Sequence, residues 1–343
     1  MSRLKHSNTM SSSTTLICEL VGVQRDPQFQ RCRLILQELS VLFPHVILPK
    51  LHGGTEHAYL DRLRELNDVI PRDTQRQRQQ QHPDPFVVVN QRVFLGNEDE
   101  LVDFALEKTR LSRAELLVAV AFGATTVSSS TSGVTAPTTD AEAALQARAE
   151  AAAQEALFRY RQMSGNQFAY LLFEVDGVTL PRVEIELFQR ECPRTVANFV
   201  AFCESRVPDV DLDDAEDSQR MLGYKGSRVH RIVAGGWLQA GDVLGDGDGP
   251  VRSLYGGAFP DEGYAVPFDS VGVVAMTRRA APHTNGSQFF ITLAPQPWLQ
   301  RKQVAFGRVV SGLTTIQKLG QLETLHERPC VPCTIVDAGR ITE

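Results

Sequence analysis

Two stretches in the C-terminal half of the chain decide its fold: Val229-His-Arg-Ile-Val-Ala-Gly-Gly-Trp-Leu-Gln-Ala-Gly-Asp242 and Asn285-Gly-Ser-Gln-Phe-Phe-Ile-Thr292. Two shorter pieces follow them, Trp298-Leu299 and Val304-Ala-Phe-Gly307. Each piece alone says little, because an arginine in a strand is usually a surface residue and a phenylalanine in an apolar run is usually core. The order and spacing of the whole set carry the information.

This ordered set resembles the active site of the cyclophilins, a family of peptidyl-prolyl cis/trans isomerases. The resemblance covers residues 167–343 and includes Pro193-Arg-Thr-Val-Ala-Asn-Phe199, which follows the family phrase P-x-T-x-x-N-F. It implies an all-β, cyclophilin-like eight-stranded barrel capped by helices. It also implies a proline-containing protein or peptide as the partner, and no cofactor.

The chemistry of such a site concerns the X-Pro bond, which rotates slowly because amide resonance gives it double-bond character. A donor that reaches the imide nitrogen once resonance is lost stabilises the twisted state selectively. The resemblance implies that Arg231 is this donor, and that Gln239 and Gln288 hold the arginine and contact substrate. The other positions that it matches to substrate binding are His230, with a structural role beside the arginine, Trp237, Phe290, Trp298 and Leu299.

Several positions depart from the family pattern. Gly236 stands where the family usually has a pocket phenylalanine, and Trp237 stands where it has a methionine. Trp237 therefore either supplies the lost aromatic surface or fills the pocket. Gln303 replaces the histidine that usually closes the rim. One extra residue lies between Met276 and Ser287, and it leaves three residues without a secure match: Thr277, Arg278 and Arg279.

Some of these departures point to one subfamily of the cyclophilin-type proteins. The Gly236-Trp237 pair, the later Glu327-Arg328-Pro329 and the N-terminal run Asn90-Gln-Arg-Val-Phe-Leu-Gly96 are similar to the extended peptidyl-prolyl isomerase-like proteins, the sixth of that series. Members of this subfamily are linked with ciliated and flagellated cells. The resemblance therefore implies a ciliary or flagellar location and axonemal microtubule proteins as partners.

The N-terminal region alternates strand and helix patterns. The predicted elements are a strand over Leu16–Val23, a helix over Pro27–Leu42 capped by Asp26, a short helix over His57–Leu66, a polar surface loop over Arg72–Gln81, a hairpin of Pro85–Asn90 and Arg92–Leu95, and a helix over Asp99–Lys108. The order β, α, α, β, β, α resembles an α/β thioredoxin or glutaredoxin-like domain over residues 14–110.

The redox motif of that domain family is absent. Where such a domain has Cys-x-x-Cys between its first strand and helix, this chain has Asp26-Pro27-Gln28-Phe29, and Cys32 lies further along the helix. Disulfide exchange needs a thiolate near a helix N-terminus and a resolving partner. We therefore expect a docking or packing domain without redox activity.

Three further segments connect or flank these regions. Residues 1–13 are predicted to be a disordered tail, and the hydroxylated stretch from Gly123 to Asp140 a flexible linker. The Ala- and Glu-rich run from Ala141 to Met163 is predicted to be an exposed helix, capped by Asp140, that docks only at its C-terminal end. Residues 111–166 would then form a linker and an exposed helix.

Composition limits the function classes. A net charge of −6 over 343 residues argues against nucleic-acid binding, and no apolar run approaches the ~20 residues that cross a membrane. Without a leader pattern, we expect a cytoplasmic protein with reduced cysteines. The acidic insertion at 208–218 is expected to be a solvated loop, because burying a cluster of carboxylates is too costly. Its spacing lacks the glycine and terminal glutamate of a calcium loop, which disfavours metal binding. Cys330 and Cys333 are expected in a surface turn, since no second ligand pair completes a zinc site.

Two hypotheses of different class follow. The first is a divergent cyclophilin that recognises proline and has weak isomerase activity, which the Arg231, Gln239 and Gln288 set favours. The alternative is a non-catalytic structural protein of an axonemal microtubule assembly, which the altered pocket favours. Redox activity is disfavoured by the missing active-site thiol.

Overall fold

The computed structural model describes residues 15–66, 68–80, 84–123, 138–209, 220–245, 250–278 and 281–342. Apart from the short segment Gln79–His82, a first compact unit ends at Arg159 and a second runs from Tyr160 to Glu343. The predicted tail, most of the predicted linker and most of the acidic insertion lie outside the described residues.

The first unit contains a four-stranded sheet and six helices among its described residues, the last helix continuing to Ser164. The elements are β1 Leu16–Val23, α1 Pro27–Leu42, β2 Ile47–Gly54, α2 Glu56–Glu65, α3 Arg72–Gln80, β3 Phe86–Val89, β4 Val93–Leu95, α4 Glu98–Thr109, α5 Arg113–Phe122 and α6 Thr138–Ser164. The sheet order is β2-β1-β3-β4. β1 is parallel to β2 and antiparallel to β3, which is antiparallel to β4.

Local sequence signals predicted several of these elements correctly. The Asp26 side chain accepts a hydrogen bond from the backbone N–H of Gln28, and Pro27 occupies the first turn of α1, so the predicted helix start is confirmed. The predicted hairpin is confirmed as β3 and β4. Asn90 and Gln91 turn the chain between them in the left-handed backbone region, which asparagine tolerates better than most residues.

The prediction of a surface loop over Arg72–Gln81 is wrong for Arg72–Gln80, which form α3, and Gln81 lies outside the described residues. Arginine and glutamine are good helix formers, so high polarity did not exclude a helix. The Gln75 amide donates to the carbonyl of Leu63 at 3.1 Å, and the Arg78 guanidinium lies over the rings of Phe86 and Phe94. The helix is therefore held by polar and cation–π contacts.

The prediction that the helix over 141–163 is exposed and docks only at its C-terminal end is also wrong. Ala141, Leu145, Ala149 and Ala153 recur at four-residue spacing on one face of α6, and all are buried. Ala141 and Leu145 belong to the core that also contains residues of α1 and α5. The first unit therefore includes α5 and most of α6, which the sequence placed in a linker after residue 110.

The cysteines of the first unit are buried. Cys18 lies on β1 and Cys32 on α1, and neither thiol is paired. Burial raises the pKa of Cys18 to about 11, and burial raises the pKa of Cys32 further. Both thiols are therefore protonated at neutral pH and are poor nucleophiles.

The second unit is built on an antiparallel sheet. Its elements are β5 Gln167–Val175, β6 Val178–Thr179, β7 Val183–Leu187, α7 Pro193–Cys203, β8 Val207–Pro208, β9 Met221–Leu222, β10 Arg231–Val233, β11 Trp237–Ala240, β12 Val273–Arg278, β13 Asn285–Thr292, a 3₁₀ turn Pro297–Leu299, β14 Ala305–Ser311, α8 Leu313–Gly320, β15 Thr324–Leu325, β16 Arg328–Pro329 and β17 Cys333–Ile341. The sequence pattern predicts paired strands over Phe168–Val175 and Arg182–Phe188 and a helix that starts at Pro193, and the structure confirms them as β5, β7 and α7.

The main sheet curls until its two ends are linked. Its strand order is β10-β11-β13-β12-β14-β7-β5-β17. The backbone N–H of Val229, just before β10, donates to the carbonyl of Cys333 in β17 at 2.9 Å, and that of Ile335 donates to Ser227. Inside, the Phe199 ring on α7 packs 5.2 Å from Phe289. The sequence-predicted cyclophilin-like β fold agrees with this curled sheet.

Cys333 begins β17 and is buried, whereas Cys330 precedes it and is exposed. Burial raises the pKa of the Cys333 thiol to about 12. Within the described ranges no group of three or more His, Cys, Asp or Glu side chains is placed to hold a metal ion. In the same ranges no helix has both the length and the apolar character needed to cross a membrane.

Candidate functional site

Three neighbouring strands bring the sequence-predicted residues onto one face of the sheet. In the antiparallel register, Arg231 on β10 lies opposite Gln239 on β11, and Gln239 lies opposite Phe290 on β13. Because side chains alternate along a strand, Trp237 shares the face of Gln239, and Gln288 shares that of Phe290. Strand pairing therefore brings five of the predicted residues together, although β11 and β13 are about fifty positions apart in sequence.

Arg231, Gln239, Gln288 and Glu327 form what we call the polar half of the site. The Arg231 Nε donates to Glu327 Oε2 at 2.7 Å, and the guanidinium carbon lies 5.6 Å from the centre of the Trp237 ring. Arg231 and Glu327 are both partly exposed, so their ion pair contributes at most about 1 kcal/mol. The Arg231 side chain makes no other hydrogen bond within the residues that the structure describes.

Gln239 has a different partner from the one that the resemblance implied. Its Nε2 donates to Gln288 Oε1 at 2.9 Å, so the two glutamines hold each other. The arginine is held instead by Glu327, which sequence reasoning missed as a site residue. Glu327 is in the turn between β15 and β16 with φ 64°, and its carbonyl accepts from the N–H of Ile232 at 2.6 Å.

His230 lies next to the arginine in sequence but on the opposite side of the strand. Burial lowers the pKa of its imidazole, and the nearby Asp242 carboxylate opposes that change. His230 is therefore neutral at physiological pH. It lines two adjoining cavities.

Trp237, Phe290, Trp298 and Leu299 form the aromatic half of the site. The Trp237 ring lies 5.7 Å from the Phe290 ring and 6.1 Å from the Trp298 ring. Phe290 is 3% exposed and Leu299 is 4% exposed, whereas Trp298 is 54% exposed. Phe290 also stacks on Phe268 at 6.1 Å. The two residues implied as walls of a proline pocket are therefore part of a packed apolar cluster, against which Trp237 lies.

Gln296 connects this half to the turn between β10 and β11, and no sequence motif pointed to it. Its Nε2 donates to the carbonyl of Gly235 at 3.1 Å, and its Oε1 accepts from the indole N–H of Trp298 at 2.8 Å. A Cβ at Gly236 would lie 2.9 Å from Val233 Cγ1. The turn therefore has no room for the larger residue usual in the family unless Val233 moves.

A cavity of about 320 Å³ opens beside the polar half. Among its lining residues are Arg231, Gln239, Arg252, Thr277, Arg278 and Gln288. Thr277 and Arg278, which the sequence left without a secure match, thus lie at the site, and the pairing of β12 with β13 shifts register between Met276 and Arg278. The Oγ1 of Thr277 is buried without a hydrogen-bond partner in the described part of the chain. Arg279 is outside the described residues.

Comparison with known proteins agrees with this arrangement. The family model for cyclophilin type peptidyl-prolyl cis-trans isomerases matches residues 170–340. A "Probable inactive peptidyl-prolyl cis-trans isomerase-like 6" from Homo sapiens is 40% identical over 51% of this chain and 54% of its own length. The Mus musculus protein of the same name is 38% identical over 51% and 53%. "Peptidyl-prolyl cis-trans isomerase CYP21-1" from Arabidopsis thaliana is 36% identical over 50% and 74%.

The matches with the isomerase-like 6 proteins span about half the length of those relatives. The family model likewise lies entirely within the second unit. The resemblance to the sixth isomerase-like proteins, which the sequence suggested, is therefore confirmed for the region that carries the site.

Proposed function

The chain belongs to the cyclophilin type peptidyl-prolyl cis-trans isomerase family, and we propose that its second unit recognises proline-containing peptides and has only weak isomerase activity. The proposal rests on one observation. The polar half keeps an arginine with free terminal N–H groups among the described residues, whereas the apolar surface beside it is covered by Trp237.

Rotation about an X-Pro bond has a barrier of ~18–20 kcal/mol, because resonance must be lost in the twisted state. In that state the imide nitrogen becomes pyramidal and can accept a hydrogen bond. Glu327 and the face of Trp237 orient the Arg231 guanidinium, and its terminal N–H groups donate to this nitrogen. The contact forms only as resonance is lost, so it lowers the barrier without proton transfer or a covalent step.

The weakness of the activity follows from the aromatic half. Trp237 spans the space between Phe290 and Trp298, and little of Phe290 and Leu299 remains exposed for a proline ring. The ring would have to displace an indole that already has apolar contacts. Several relatives carry the words "probable inactive" in their names, which supports low activity here.

An exchange measurement by NMR on an Xaa-Pro peptide tests the proposal with the full chain. We expect a small acceleration of cis/trans exchange that is lost in Arg231→Ala. The control is Arg340→Ala, which removes an exposed arginine from β17, outside the site, and should leave the acceleration unchanged. Equal acceleration by Arg231→Ala and the wild type would contradict the proposal.

The same covered pocket favours a second candidate, a docking domain that does not catalyse. This candidate predicts peptide-induced chemical-shift changes near Arg231 without faster exchange. The axonemal microtubule assembly implied by the subfamily resemblance, and with it a ciliary or flagellar location, remains a prediction that rests on that resemblance alone.

We further infer that the first unit is a thioredoxin-like domain without redox chemistry, joined to a complete eight-stranded cyclophilin barrel. The strand order β2-β1-β3-β4, with β1 parallel to β2, supports the first part. The raised pKa of the buried Cys18 and Cys32 thiols supports a non-redox role. A thiol titration of the folded chain tests it, since a rapidly reacting Cys32 would contradict the inference.

A further inference from the structure

A second and larger cavity adjoins the cavity beside Arg231, and His230 lines both. Its volume is about 860 Å³, and segments that flank β10 and β16 line it. That volume is in the upper part of the range of clefts that bury drug-sized ligands. No sequence motif and no role in proline recognition accounts for it.

The charge of this cavity is opposite to that of the whole chain. Four cationic side chains line it, Arg220, Lys225, Arg228 and Arg328, and Asp242 is the carboxylate among the described lining residues. The chain as a whole has a net charge of −6. Basic residues are thus concentrated at one concave place on an acidic protein, which creates a local attraction for anions.

Three of these cations have no partner in the described structure. The side chains of Lys225, Arg228 and Arg328 are exposed, and none of them makes a hydrogen bond or ion pair with a described residue. The fourth, Arg220, makes a long ion pair, with its Nε 3.9 Å from Asp209 Oδ2. Surface cations in a folded protein are commonly satisfied by neighbouring carboxylates or by water, so three unpaired cations around one cavity leave their charge available to a ligand.

The remaining lining favours a peptide over a single anion. Pro329, Val331 and Pro332 contribute apolar surface to the same lining. A helix N-terminus is a favourable place for a compact phosphate, and among the described lining residues no helix begins. Several cations that share a lining with apolar side chains suit a peptide with several carboxylates.

We propose that this basic cavity binds an acidic peptide segment of a partner protein, independently of proline turnover. The cavity shares His230, Asp242, Val243 and Leu244 with the cavity beside Arg231, so one extended partner chain can occupy both. The site is nevertheless separate in its chemistry, since its ligand is recognised by charge.

The full chain offers a built-in reporter for this test. Cys330 lines the cavity and is exposed, whereas the other five cysteines are buried. A small maleimide should therefore label Cys330 first. Bound peptide should slow that labelling by covering the thiol.

The experiment titrates the full chain with fluorescein-labelled hexaglutamate, followed by fluorescence anisotropy and by the rate of Cys330 labelling. We expect saturable binding that weakens as salt screens the charges, and slower labelling at saturation. Charge reversals Lys225→Glu, Arg228→Glu and Arg328→Glu should each weaken binding by about threefold or more. The matched control Arg340→Glu, at an exposed arginine outside the cavity, should bind as the wild type does.

Three results would overturn the proposal. The first is an absence of saturable binding. The second is an equal loss of affinity in Arg340→Glu, which would mean that only net charge matters. The third is tighter binding of inorganic tripolyphosphate with displacement of the peptide, which would make the cavity a phosphate site. Because hexaglutamate contains no proline and the exchange assay uses an Xaa-Pro peptide, failure of this binding is distinguishable from failure of proline recognition.

Discussion

The two halves of the candidate site have diverged in different ways. In the polar half, Arg231, Gln239 and Gln288 retain the family residue types, but a carboxylate now holds the arginine and the glutamines pair with each other. In the aromatic half, Phe290 and Leu299 are also retained, yet Trp237 covers them. On the proposed function, the polar half thus keeps a hydrogen-bond donor, while Trp237 limits access to the apolar surface beside it.

The largest expected effect comes from the contribution of the aromatic half to the core. Phe290→Ala should lower the free energy of unfolding by about 3–5 kcal/mol, since it removes a buried ring that stacks on Phe268. Gln288→Ala, two positions away on the same strand, should cost less than about 1 kcal/mol. Both tryptophans of the chain lie in the second unit, so denaturation followed by tryptophan fluorescence reports on this unit alone.

If Phe290→Ala and Gln288→Ala lowered the free energy of unfolding equally, the aromatic half would not contribute more to the core than the polar half does.

The second prediction concerns access to the aromatic half. Trp237→Met, which introduces the usual family residue, should tighten the binding of an Xaa-Pro peptide by roughly tenfold, because uncovered apolar surface is worth about 1–2 kcal/mol. Chemical-shift titration measures the affinity. Trp298→Met is the control, since Trp298 is exposed at the rim and its removal uncovers no buried wall.

If Trp237→Met bound the peptide no better than the wild type, the indole would not be what limits proline entry.

The third prediction concerns backbone strain at Glu327, in the polar half. Glu327 has φ 64°, in the left-handed region that costs a non-glycine residue about 1 kcal/mol or more. Glu327→Gly removes that strain along with the ion pair, whereas Glu327→Gln removes only the charge. The glycine variant should therefore be more stable than the glutamine variant by about 1 kcal/mol, as measured by the same fluorescence denaturation.

Equal stability of the two Glu327 variants would mean that the turn is not strained.

The smallest expected effect is a dependence on pH. Burial lowers the pKa of His230 in the folded state, so the unfolded chain binds the proton more readily. The stabilisation from the neutral imidazole is complete above its unfolded pKa of about 6.5 and is lost as the pH falls through the lower folded value. His230→Gln should lose less stability than the wild type between about pH 7 and pH 5.

Identical pH profiles for His230→Gln and the wild type would show that the imidazole is not responsible for this dependence.

Short-range signals were enough to predict much of the fold. The Asp26-Pro27 start of α1, the Asn90-Gln91 hairpin and the helix at Pro193 were all readable from adjacent residues. By contrast, β2 was missed. It carries Pro49 and ends in two glycines, and as an edge strand it tolerates a proline and lacks a buried alternating face.

Features that depend on distant partners could not be predicted. The burial of α6 relies on small alanines, which give little hydrophobic signal at helical spacing. Family spacing indicated that Arg231, Gln239 and Phe290 lie together, and the strand register bears out that proximity. Glu327, however, is 96 residues from Arg231 along the chain, and only the turn between β15 and β16 brings the two together.

The most direct test compares Trp237→Met with Trp237→Met/Arg231→Ala in the NMR exchange assay on an Xaa-Pro peptide. If Arg231 is competent and Trp237 covers the pocket, Trp237→Met accelerates exchange about tenfold over the wild type, equivalent to about 1.4 kcal/mol of barrier, and the double variant loses the gain. A folded Trp237→Met that binds the peptide more tightly but exchanges it no faster would contradict the claim that a competent arginine lies beside a covered pocket.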